Sequence, residues 1–151
     1  MKISLLALLI AFIPLNHSMA QAEAAIVLPA KDAKLKGAIH YIAKTETINR
    51  WVEEGSSASW AINLPAGTYE VSMKYALGPE SGGGRFEMST ESSKVNITSF
   101  QPTGSWNAFK NKILLPITIS KTDKTFTITA TKVPIAQGLM DLRSITLTKA
   151  R

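Results

Sequence analysis

Along much of this sequence apolar side chains recur at every second position, the period of strands with one face in a core and the other in water. Trp60, Ile62 and Leu64 alternate with Ser59, Ala61 and Asn63. Beyond the turn residues Pro65-Ala66-Gly67, Tyr69, Val71, Met73 and Tyr75 share one face while Thr68, Glu70, Ser72 and Lys74 take the other, so the two runs predict a strand pair. Ile113, Leu115, Ile117 and Ile119 alternate in the same way. The turn Lys121-Thr122-Asp123-Lys124 then leads into Phe126, Ile128 and Ala130, which predicts a hairpin. Further strands are expected over 24–28, 38–43, 85–90, 94–98 and 142–148. In the last of these, Ile145 and Leu147 share a face that would also take Arg143 while Leu142 falls opposite, and a bulge near Arg143 resolves the conflict. Roughly nine short strands at this spacing, with no helical stripe past the N-terminal segment, predict an all-β fold, a jelly-roll β-sandwich.

The N-terminal segment has a different character. Ile3 to Leu15 is almost unbroken apolar, preceded by Lys2 and followed by Ser18-Met19-Ala20-Gln21-Ala22. This is the pattern of a signal peptide over 1–22, with an apolar core shorter than the roughly 20 residues a spanning helix needs. The expected domain is 23–151, exported to the periplasm or the medium, monomeric, and free of the membrane once the signal is removed. The chain has no cysteine, which excludes a disulfide framework, a thiolate metal site and a cysteine nucleophile. Such a domain depends on packing alone.

Charge is unevenly placed. Residues 21–91 hold seven Lys and Arg against nine Asp and Glu, whereas 92–151 hold nine against Asp123 and Asp141 alone. An exported protein makes nucleic acid an unsuitable partner, so a basic half points to an anionic polysaccharide, or it is simply a solvated surface.

Catalytic sets are scarce. Within 23–151 the single histidine is His40, and no nucleophile-elbow sequence accompanies it. Glu53 and Glu54 are adjacent, which in a strand turns them to opposite faces and denies the paired geometry of glycoside hydrolysis. No enzyme is expected; a small polysaccharide lyase using Tyr41 or Lys44 is a distant alternative. Aromatic residues say more, because sugars stack their C–H faces on indole rings while neighbouring polar groups take the hydroxyls. Trp51 and Trp106 lie outside the alternating runs, Trp51 beside Arg50 and Glu54 and Trp106 beside Asn107. Either these five residues form a sugar site, or the two rings cap the core. Trp60 continues the Ile62 and Leu64 face and is expected to be core.

LPAKDAKLKG (Leu28 to Gly37), INRWVEEGSSASWAINLPAGTYEVSMKYA (Ile48 to Ala76), TGSWNAF (Thr103 to Phe109) and GLMDLRSITLT (Gly138 to Thr148), in that order, resemble carbohydrate-binding modules of families 6 and 35. Among these galactose-binding-like β-sandwiches the pieces look most like modules appended to secreted sulfatases and alpha-L-fucosidases. The resemblance implies a cleft in loops at one end, two aromatic rings gripping a polysaccharide or glycoconjugate, and an asparagine on its hydroxyls. Trp51 and Trp106 match the rings by position, but Met140 stands before Asp141 where the family often has that asparagine. The same resemblance implies a structural calcium, for which Asp32 and Asp141 are the available carboxylates. A sandwich that has lost sugar recognition and serves protein interaction is the alternative that Met140 favours.

Overall fold

The computed structural model describes residues 24–134 and 137–151, so the signal segment expected over 1–22 lies outside the described residues. Twelve strands follow in order: β1 (Ile26–Pro29), β2 (Lys34–Lys36), β3 (His40–Ile42), β4 (Thr47–Asn49), β5 (Ser57–Leu64), β6 (Gly67–Ala76), β7 (Arg85–Ser89), β8 (Lys94–Ile97), β9 (Lys110–Ile113), β10 (Ile117–Ile119), β11 (Asp123–Lys132) and β12 (Asp141–Lys149). A single 3-10 turn, Ala30–Asp32, separates β1 from β2. The strands form two antiparallel sheets. One runs β10-β6-β12-β4-β3, with β1 added to β12 and β9 to β6; the other runs β2-β5-β11-β7-β8. Their inner faces meet in the all-β sandwich that the alternation predicts.

Alternation locates the core correctly in most strands. Val71, Met73, Ile145 and Leu147 from the larger sheet face Trp60, Leu64, Phe86, Met88, Phe126 and Ile128 from the smaller one, all buried. Phe100, in the connection after β8, packs edge-on against Tyr75 at 5.7 Å and Phe86 at 5.4 Å between ring centroids, joining the two sheets. The Trp60 indole N–H donates to the Pro29 carbonyl at 2.8 Å, so the ring carries its polar atom into the core with a partner.

Two expected strand pairs are corrected. β5 pairs with β2 and β11, whereas β6 pairs with β9, β10 and β12, so Pro65-Ala66 is an arch from one sheet to the other. The passage from β10 to β11 is the same kind of crossing, because β10 lies on β6 and β11 between β5 and β7. A hairpin would set two apolar faces side by side, both still requiring cover. An arch turns one onto the other and buries both. The first arch is tied by the Tyr69 hydroxyl, which donates to the Pro65 carbonyl at 3.0 Å, four residues back, as a tyrosine does at sandwich corners.

Register explains two more positions. Arg143 is the extra residue in β12, since Leu142 faces Tyr75 and Ser144 faces Lys74, and this bulge returns both Leu142 and Ile145 to the core face. Conversely, the expected shared face of Ile113, Leu115, Ile117 and Ile119 does not form. Ile113 lies opposite Ser72 and Ile117 opposite Tyr69, so four steps on one strand span three on β6 and the phase inverts between them. Leu114 is buried in consequence, and Ile113 and Leu115 are exposed. Pro116, which has no N–H for the ladder, sits in this break.

If the Tyr69 hydrogen bond secures the arch, Tyr69→Phe removes the hydroxyl that holds the Pro65 carbonyl and should cost about 1 kcal/mol in urea unfolding, with the fold retained. A variant as stable as the wild type would show that the arch stands without it.

Candidate functional site

The residues of interest gather where β4 ends and β12 begins. After β4 the chain turns sharply: Arg50 takes a left-handed backbone with φ 61°, uncommon for a residue with a Cβ, and the Val52 N–H donates to the Arg50 carbonyl at 2.8 Å. That turn carries Trp51 inward. The Leu139 N–H reaches the Trp51 carbonyl at 3.0 Å, which joins this loop to the segment leading into β12.

The expectation that Trp51 offers a free ring is corrected here. Its side chain is 0% exposed, and its indole N–H donates to the Ile48 carbonyl at 3.2 Å. No ring face is left for a ligand in this conformation, and Trp51 is the base on which the cleft stands.

Trp106 is different. It lies in the turn after Thr103, is 37% exposed, and rests on Gly78. A Cβ at Gly78 would come within 2.6 Å of the indole Nε1, closer than real contacts allow, so a glycine is required under the ring. The start of this turn is firmly held. The Thr103 N–H donates to the Leu77 carbonyl at 3.0 Å, and the Leu77 N–H returns to the Thr103 hydroxyl oxygen at 2.9 Å.

Between Trp106 and the β4 turn lies a concavity of about 290 Å³, lined by Asn49, Arg50, Trp51, Val52, Trp106, Met140 and Asp141 among others. Its polar groups are poorly matched within the protein. Asn49 Oδ1 is buried with no hydrogen-bond partner. Asp141 is half-buried, and burial pushes its carboxyl up to about 6. The cleft thus joins an exposed indole, a carboxyl short of solvent and an arginine, with an unpartnered acceptor buried in its wall. Met140, itself buried, makes part of the wall apolar.

Other sequence-derived candidates fall elsewhere. Glu54 lines a separate concavity of about 490 Å³ with Arg85, Asn96 and Lys132, away from the ring cleft. Asn107 is exposed at the turn of Trp106, where its N–H donates to the Ser105 hydroxyl oxygen at 3.2 Å, and it is not among the residues lining the cleft. Asp32 is exposed and lines a third concavity with Lys34, Lys36 and Lys124, so the structure does not bring Asp32 and Asp141 to one cavity. Calcium takes six to eight oxygens. Among the described residues no group of three or more His, Asp and Glu gathers that could hold a metal, and this pair does not fit the implied ion. The basic residues of the C-terminal half are distributed over β8, β9, β11 and β12 in both sheets. Asn49 and Thr103 are legible in the sequence only as polar neighbours of Trp51 and Trp106, and none of Asn49, Gly78 and Thr103 stands out there as a site residue. Gly78 lies in the loop GPESGGG and Thr103 opens TGSW.

No family model and no curated protein matches this sequence. Solved structures do. A CBM35 from Cellvibrio japonicus Abf62 is similar at a TM-score of 0.66 and 16% identity, with 85% of this chain and 95% of that one covered. The module CBM6cm-2 from Cellvibrio mixtus lichenase 5A, in complex with cellotriose, is similar at 0.65 and 20%, covering 83% and 98%. Xyl-CBM35 in complex with a glucuronic acid containing disaccharide is similar at 0.65 and 15%, covering 83% and 94%. At these identities the likeness is one of fold, the β-sandwich of carbohydrate-binding modules.

Opposite burial of the two loop tryptophans has a direct consequence for stability. Trp51→Ala should cost about 3 to 5 kcal/mol and melt as early as Trp60→Ala. Trp106→Ala should stay within about 1 kcal/mol of the wild type. A Trp51→Ala protein that melts like the wild type would contradict the buried placement of that ring.

Proposed function

We propose that this chain is a non-catalytic glycan-binding module that holds a sugar against Trp106 in the cleft beside Arg50. The observation that carries the proposal is the exposed indole, seated on Gly78 at the mouth of a cleft whose Asn49 oxygen has no protein partner. Stacking on the ring supplies the apolar contact, and Asp141 offers an acceptor for hydroxyls. Arg50 favours an anionic sugar, such as a uronic acid. Two of the similar structures hold cellotriose and a glucuronic acid disaccharide, which supports the same ligand class here. With a signal peptide over 1–22, the module acts outside the cytoplasm as a monomer, on a polysaccharide or glycoconjugate and not on nucleic acid. Its relation to sulfatases or fucosidases is part of the same proposal.

The competing reading is a sandwich that has lost sugar recognition and presents a protein-binding surface. It is favoured by the burial of Trp51, which leaves a single ring, and by Met140 in the wall.

Calorimetric titration of residues 23–151 with neutral and uronic-acid oligosaccharides separates the two readings. Binding is expected, and Trp106→Ala should weaken it at least about tenfold, or roughly 1.4 kcal/mol. The pH profile carries a sign. Asp141 gains its negative charge as pH rises through about 6, and that charge opposes a uronate, so uronate affinity should fall between about pH 5 and pH 7. Asp141→Asn should flatten the profile. No binding to any glycan would leave the protein-interaction reading.

A further inference from the structure

We infer that Arg143 is a positioning residue for Trp106, acting from outside the cleft through Phe109. The bulge in β12 sends Leu142 and Ile145 inward and leaves Arg143 half-buried beyond the core face. Its guanidinium carbon lies 3.8 Å from the centroid of the Phe109 ring, within the range of a cation–π contact. The same guanidinium donates from Nη2 to the Thr45 carbonyl at 3.0 Å, in the turn between β3 and β4. Its orientation is therefore fixed from a second direction.

Phe109 follows Trp106 by three residues and immediately precedes β9. Across this stretch the Ala108 N–H donates to the Ser105 carbonyl at 3.1 Å, so Ser105 to Ala108 closes as a hydrogen-bonded turn directly before Phe109. The turn thus has two anchors. Thr103 fixes its start on Leu77, and its end is held by Arg143 on Phe109 beside the β9–β6 ladder, which begins with Lys110 opposite Tyr75. Gly104 lies between Thr103 and Trp106 with φ +106° and nothing within 4 Å of the position of a Cβ, so the crowding that would restrain an ordinary residue is absent there. The Thr103 hydroxyl donates to the Ser105 carbonyl at 3.1 Å across Gly104, so loss of the second anchor loosens the far side of the turn, where the indole rests on Gly78, and not its start. The bulge thus has two effects: it keeps β12 in register with the core, and it frees an arginine to hold the loop that presents the ring.

For its ligand this inference rests on the glycan-binding reading, but its main test needs no ligand. Trp51 and Trp60 are buried, at 0% and 2% exposure, so a neutral quencher such as acrylamide reports chiefly on Trp106, and Trp106→Phe confirms the assignment. Arg143→Ala and Phe109→Ala should each raise the quenching constant at least about twofold and move emission to the red. The double variant should be no worse than either single one, because both remove the same contact. Arg143→Lys keeps the charge but loses the planar group and should not restore the wild-type value. Arg143→Gln and Phe109→Leu serve if an alanine variant fails to fold. Unchanged Trp106 quenching in the folded variants, or effects that add in the double variant, would overturn the inference. Where a glycan binds, the same variants should weaken it roughly fivefold. A wild type that binds no glycan, with the quenching changes present, would defeat the ligand reading and leave the positioning role standing.

Discussion

The extra residue in β12 is the constraint on which core and cleft both depend. Without it, the strand could place either Leu142 or the pair Ile145 and Leu147 on the inner face, but not all three. The sandwich has no disulfide to compensate for a misplaced strand, so this register is set by apolar burial and the ladder. β12 lies at the centre of the larger sheet, in contact with β1, β4 and β6, and a slip there would misplace every neighbour.

The cleft is a by-product of how this sheet ends. Asp141 opens β12 and Asn49 closes β4, so both line the cleft from the last paired positions of their strands. Trp51 secures the floor by filling the end of the core with a large ring whose polar atom is matched by Ile48. Trp106 is left as the exposed aromatic because a glycine carries it on one side and its loop is tied at both ends. Asp141, half-buried in the same wall, has its carboxyl raised to about 6 by burial.

Period-two alternation says which way a side chain faces and nothing about which strand lies beside it. Hence the inner residues of β5, β6, β11 and most of β12 were legible, and the bulge at Arg143 followed from the conflict between Leu142 and Ile145. The arches at Pro65-Ala66 and between β10 and β11 were not, because a hairpin and an arch share one pattern of alternating residues. Phase inversion between Ile113 and Ile117 was hidden for a related reason: it is a property of how the strand meets β6. Trp51 misled because polar neighbours such as Arg50 and Glu54 surround it in sequence, while a left-handed turn at Arg50 takes the ring inward. Backbone turns of that kind at a residue other than glycine leave little mark in composition.

A nitrogen–proton correlation spectrum resolves the claim most directly, since each of the three tryptophans contributes one indole N–H signal. Those of Trp51 and Trp60 are engaged with the Ile48 and Pro29 carbonyls inside the core. On titration with an acidic oligosaccharide, the Trp106 signal should move progressively to saturation while the other two stay in place. A Trp51 signal that moves as far as that of Trp106, or three signals that all remain still, would contradict a glycan site built on the single exposed ring.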